Sequence, residues 1–153
     1  MKRIAVYPGT FDPITKGHEA LVLKALPLFD EIIIAIGHNS KKQTYFTIEK
    51  RKAWLQAVFE KYPQVKIDTY DSLTVNYCKE KDAKFILRGL RSSTDFEFER
   101  TIAQANNTLS PEIETIFLVS SPGLSAINSS IVRDIHKYGG DIGQFIPSGI
   151  IIE

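Results

Sequence analysis

A chain of 153 residues with 43% apolar content can bury the core of one compact domain, and no linker, repeat or composition shift divides it. Nineteen Lys and Arg against eighteen Asp and Glu leave a formal charge of +1, which argues against a nucleic-acid coat or a polybasic membrane patch. The lone cysteine, Cys78, excludes an internal disulfide framework and reads as a small buried hydrophobe in a reducing compartment.

The first predicted strand covers 3–7, and its apolar run is too short for a signal peptide. No later run approaches a membrane span, so a soluble, cytoplasmic protein is expected. The chain then reads "YPGTFDPITKGH" before a helix over 17–26. A structural turn does not need so many Gly, Pro, Thr and Asp residues, which marks the stretch as a site. The second strand, 32–36, is "IIIAI", apolar on both faces as a central strand covered by helices should be. After "GHNSKKQTYF" a helix over 47–61 begins at a Thr47 N-cap, with Lys50 standing where a capping box wants Glu or Gln.

A strand over 65–69, a helix over 73–81 and a strand over 85–88 follow. Next comes a helix over 95–109 with Phe98, Ile102, Ala105 and Leu109 on one stripe. A fifth strand, 116–119, and a helix over 130–138 complete the pattern. Five strands alternating with five helices predict an α/β fold: one Rossmann-like, doubly wound, five-stranded parallel sheet with helices on both faces. Ligands of such sheets bind beyond the carboxyl ends of the strands.

Those ends carry one kind of chemistry. After the first strand, Gly9 lets backbone approach a ligand, and His18 stands at a helix N-terminus, where unpaired N–H groups and the helix dipole attract anions. Thr10 can donate from the opposite side. After the second strand, Lys41 and Lys42 sit on a loop at the ligand edge, and that position puts at least one of them in reach of phosphate. After the fourth, Arg88 and Arg91 flank Gly89 and Leu90 in "RGLR", and paired guanidinium forks suit phosphate oxygens. Glu99 is either a carboxylate for a ribose or base, or part of a solvated helix face. After the fifth, the serines and Asn128 of "SSPGLSAINSSIVRD" supply one N-cap, with small polar residues left over for a second anion site. Cations Lys42, Arg88, Arg91 and in one reading His18, two helix starts and no nucleophile paired with a base describe phosphoryl or nucleotidyl transfer by positioning and electrostatics.

With these residues assembled, the chain resembles the phosphopantetheine adenylyltransferases, within a nucleotidyltransferase superfamily whose signature appears here as Thr15-Lys16-Gly17-His18. The resemblance spans residues 3–147 through "YPGTFDPITKGH", the Lys42 loop, "RGLR", "DFEFE" and "INSSIVR". It implies transfer of AMP from ATP, with Mg²⁺, to 4'-phosphopantetheine, giving dephospho-CoA and pyrophosphate. By the family pattern, His18 stabilises the transition state and Thr10 contacts the transferring phosphate, with Lys42 and Arg91 also in the catalytic set. Phosphopantetheine falls to Thr10, Lys42, Thr74 and Arg88. ATP falls to Thr10, Phe11, His18, Gly89, Leu90, Arg91, Glu99 and the run Leu124, Ser125, Ala126, Ile127, Asn128, Ser129 and Ser130. No residue is a metal ligand in this pattern, because magnesium bridges nucleotide phosphates and water. A homohexamer and feedback inhibition by CoA are expected on the same ground. The chain departs from the family pattern at Ser40, Ser72, Leu124 and Asn128. The alternatives are a nicotinamide mononucleotide adenylyltransferase, a class I aminoacyl-tRNA synthetase fragment, which lacks its second signature here, and a sensor that kept the fold without the reaction.

Overall fold

The computed structural model describes residues 1–39 and 41–153, so the departure at Ser40 lies outside the described residues. The elements alternate as β1 (Ile4–Gly9), α1 (Lys16–Ala25), β2 (Glu31–Gly37), α2 (Ile48–Val58), β3 (Val65–Tyr70), α3 (Thr74–Glu80), β4 (Phe85–Leu90), α4 (Ser93–Leu109), β5 (Glu114–Val119) and α5 (Ser129–Lys137). All strand pairs are parallel, in the order β3-β2-β1-β4-β5. The predicted α/β sheet is therefore present, with its reversal of strand order between β1 and β4.

The apolar run of β2 explains the double covering. Ile32, Ile34 and Ile36 enter one core with Leu55 of α2 and Val132 of α5, while Ile33 and Ala35 enter a second with Val75 and Cys78 of α3. Successive strand residues point to opposite faces, so a strand with no polar alternation needs helices on both. Cys78 is fully buried, and burial pushes its thiol up to about 12.

Two helix boundaries differ from expectation by more than one residue. Helix α2 stops at Val58 rather than at 61: Phe59 is its C-cap, and Tyr62 N–H bonds the Phe59 carbonyl in a turn ahead of Pro63. Helix α4 begins at Ser93, two residues early, because the Ser92 side chain caps it by accepting from Asp95 N–H. Its apolar stripe does not face the core of this chain: Phe98, Ile102, Ala105 and Leu109 are all exposed, and its one buried residue is Glu99.

The crevice follows from one residue of β1. Register with β2 runs from Ile4↔Glu31 to Gly9↔Ile36, yet register with β4 holds only for Ala5↔Phe85 and Val6↔Ile86. Pro8, with no N–H to offer, stands where the next rung to β4 would form, and its carbonyl accepts instead from Arg88 Nη1 at 2.7 Å. The two central strands thus part at their carboxyl ends and leave a cleft. Among the described residues no helix is long and apolar enough to cross a membrane.

Candidate active site

The cleft at this parting, about 420 Å³, is lined from the turn after β1 by Thr10 and Phe11, from α1 by His18, from β4 by Arg88, Gly89 and Leu90 with Arg91 just beyond the strand, and from α4 by Glu99. Phe11 takes a left-handed φ of 50°, which folds its ring back over Gly9. A Cβ at Gly9 would lie 2.9 Å from the Phe11 ring, so the space that glycine leaves holds an aromatic ring of the protein itself. At Gly89 a Cβ would meet Leu21 Cδ2 of α1 at 3.2 Å, a tight contact that a small shift of that side chain relieves.

The Thr15 side chain caps α1 by accepting from His18 N–H at 3.4 Å. Thr15 N–H donates in return to His18 Nδ1 at 3.0 Å. An Nδ1 that accepts a backbone N–H carries no proton, so the proton of the neutral ring sits on Nε2. The Phe11 ring packs edge-on to the imidazole at 5.0 Å. Burial first, and then the charges of Arg88 and Arg91, push the imidazole down to about 4. His18 is accordingly a neutral donor in the open site, and the reading of it as a further cation is corrected. The positive charge of the cleft comes from Arg88, Arg91 and Arg133, with Lys24 also on its lining.

Arg88 is held on three sides. Its Nε and Nη2 donate to Glu99 Oε2 and Oε1 at 3.0 and 2.7 Å, and Nη1 donates to Pro8. Burial lowers its pKa, but hydrogen bonding to Glu99 and that carboxylate's charge outweigh burial and raise it. Glu99, 8% exposed, is therefore no part of a solvated helix face: both of its oxygens receive Arg88. Arg91 donates from its backbone N–H and Nε to Asp95 Oδ2 and from Nη1 to the Ile127 carbonyl. Each arginine enters the cleft pre-oriented by a carboxylate of α4, and each keeps N–H donors beyond those bonds.

The β5–α5 turn closes the far wall. Leu124, Ile127, Asn128, Ser129 and Ser130 line the cleft, whereas Ser125 and Ala126 are exposed and do not. The small polar residues are more occupied than their number suggests. Asn128 is the N-cap, accepting from Ile131 N–H at 2.9 Å, Ser129 Oγ donates to the Pro13 carbonyl, and Ser130 Oγ accepts from Arg133 Nη2. Arg133 also donates to the Asp12 carbonyl and lines the cleft, although it was not singled out in the sequence. Its place four residues after Ser129 on the same helix face was the available signal.

Two further clefts meet the first at Thr10. One contains Thr74 and Arg88 beside Tyr70, whose hydroxyl is 2.9 Å from Thr74 Oγ1. The other contains Lys42, Asn39, Ser72 and Arg51. Lys41 is exposed and lines neither, so Lys42 is the lysine of the pair that faces the site. Asp12 and Arg51, both buried and both bonded to the Lys42 loop, were missed in the sequence. Nothing local distinguishes Asp12 from a turn aspartate or Arg51 from a solvated helix arginine.

The Cytidylyltransferase-like family matches residues 6–135. The chain is 49% identical over 147 residues to the phosphopantetheine adenylyltransferase of Cytophaga hutchinsonii, covering 96% of this chain and 98% of that protein. The chain belongs to the phosphopantetheine adenylyltransferase family. The family member of Bacteroides thetaiotaomicron is 47% identical over 150 residues, 98% of this chain and 99% of that one. A crystal structure of a bifunctional NMN adenylyltransferase/ADP ribose pyrophosphatase from Francisella tularensis superposes with a TM-score of 0.72 at 20% identity, which shows the fold. The match covers 95% of this chain and 45% of that longer one. Within the phosphopantetheine adenylyltransferase family pattern, the departure at Asn128 has a structural explanation, since asparagine caps a helix as well as serine does. Leu124 lines the first cleft, and Ser72 lines the Lys42 cleft with its hydroxyl on its neighbour's carbonyl.

Proposed function

We propose that the protein transfers the adenylyl group of ATP to 4'-phosphopantetheine, forming dephospho-CoA and releasing pyrophosphate. The observation that carries this reading is the place of Thr10, which lines the arginine-walled cleft and both clefts on the Lys42 and Thr74 side. ATP takes the first cleft, between "RGLR" and the β5–α5 turn, and the acceptor phosphate approaches from the Lys42 side. An oxygen of that phosphate attacks the α-phosphorus in line as the bond to the β-phosphate breaks, and the electron pair leaves with pyrophosphate.

Bringing two polyanions together is opposed by their mutual repulsion, and donors placed beforehand offset it. Arg88 and Arg91 are held in place by Glu99 and Asp95 before a substrate arrives. His18 Nε2–H supplies a neutral donor for the charge that develops on the transferring phosphate. Bound with the triphosphate, Mg²⁺ would supply further charge neutralisation beside these donors. Among the described residues no three His, Cys, Asp or Glu side chains group to hold a metal, and Asp95 and Glu99 already serve arginines. In the cell the enzyme works in the cytoplasm as a homohexamer, for which the exposed stripe of α4 supplies an apolar contact face. CoA, which carries both the pantetheine arm and an adenylate, is the expected feedback inhibitor on this reading.

Pyrophosphate release with Mg²⁺ and ATP tests the reading, with 4'-phosphopantetheine, nicotinamide mononucleotide or no acceptor. Release is expected with phosphopantetheine alone, and His18→Ala should slow it by about 10² to 10³, the scale for losing one transition-state donor. Binding of ATP or CoA without release from either acceptor would make the protein a sensor instead.

A further inference from the structure

Arg51 and Asp12 are 2% and 3% exposed, and neither takes part in the chemistry proposed above. Arg51, in the first turns of α2, spends its fork on two separate segments. Its Nη1 donates to the Thr10 carbonyl at 2.7 Å, while Nε donates to the Phe46 carbonyl at 3.1 Å and Nη2 to Thr44 Oγ1 at 3.2 Å. Asp12 ties the same segments in the opposite sense, its two carboxylate oxygens accepting from Tyr45 and Phe46 N–H, both at 2.8 Å. Arg133 Nη1 holds the Asp12 carbonyl at 2.8 Å from the α5 side. Buried charges rarely improve stability over apolar packing, because desolvation offsets much of what their contacts return. What these two provide that apolar side chains cannot is fixed geometry between the turn that carries Thr10 and the loop that carries Lys42.

We infer that Arg51, together with Asp12, is a positioning residue for the adenylyl transfer: it holds Thr10 and the Lys42 loop in register, so that the acceptor phosphate meets the α-phosphorus at bonding distance. This inference rests on the proposed reaction. Lysine cannot replace Arg51, since a point charge does not reach three acceptors held in a fork. Asn cannot replace Asp12, since its amide would set N–H against a backbone N–H.

The experiment compares wild type, Arg51→Lys, Arg51→Ala with and without millimolar guanidinium, and Asp12→Asn. It reads kcat, the KM for phosphopantetheine, the ATP Kd by calorimetry, and the emission of Trp54. That residue is the sole tryptophan and packs edge-on to Phe46 at 4.9 Å, so its emission follows the loop without reference to turnover. Expected for Arg51→Lys is a fall in kcat of about 10²-fold, the scale for a displacement of about 1 Å. The acceptor KM should rise, the ATP Kd should stay near the wild-type value, and Trp54 emission should shift to the red. Guanidinium should restore part of the turnover of Arg51→Ala. Wild-type kcat in Arg51→Lys, or a loss of ATP affinity parallel to the loss of kcat, overturns the inference, and Arg51→Lys decides even where Arg51→Ala does not fold. Absence of turnover in the wild type itself would remove the proposed reaction, whereas unchanged Trp54 emission in Arg51→Lys removes the positioning role alone.

Discussion

At the scale of single residues, the charge state of His18 governs what the site can do. The unfolded chain protonates this imidazole near its ordinary value of 6.5, the folded chain only near 4. Between those values the unfolded state binds more protons, so this group lowers stability as pH falls through the window and contributes no pH dependence above it. Against His18→Gln, the wild type should lose about 2 kcal/mol in urea unfolding between pH 7 and pH 4.5, and a constant difference would show that the ring titrates normally. Arg91 offers a second test. Its fork is set by Asp95 and the Ile127 carbonyl, and Arg91→Lys should raise the KM for ATP about tenfold, roughly one charge-assisted hydrogen bond. An unchanged KM would make Arg91 a brace for α4 only.

At the scale of elements, α4 is docked by charge where most helices dock by apolar burial. Glu99 is its one buried residue and grips Arg88 of β4, and Asp95 grips Arg91 just beyond the strand. Glu99→Ala strands a largely buried guanidinium and should cost about 3 kcal/mol, the low end for breaking a buried pair because Arg88 keeps some exposure. Urea unfolding measures it, and a cost under 1 kcal/mol would mean that water replaces Glu99. The sequence did reveal this helix and its apolar stripe. It did not reveal which side of the helix faces the sheet, because a stripe of Phe and Ile suits a core of the same chain as well as a surface covered by another copy.

At the scale of the whole molecule, the exposed α4 stripe and the exposed Val119 of the edge strand β5 leave apolar surface that one chain does not cover. The proposed hexamer would cover it. Light scattering should then give a mass six times that of the 17.3 kDa chain, and Phe98→Glu should reduce it; a monomeric wild type would end that proposal. What the sequence determined by itself was the alternation of β-branched runs with amphipathic ones, hence the parallel sheet and the edge at which its ligands bind. It also determined the motifs there, because turn residues and cations at strand ends are local facts. Tertiary structure alone decided that His18 is neutral, that Glu99 belongs to Arg88, and that Asp12 and Arg51 join the two sides of the site. Those outcomes depend on burial and on partners distant in the chain, Arg88 and Arg91 for His18 and Thr10 for Arg51, and neither is written in the spacing of nearby residues.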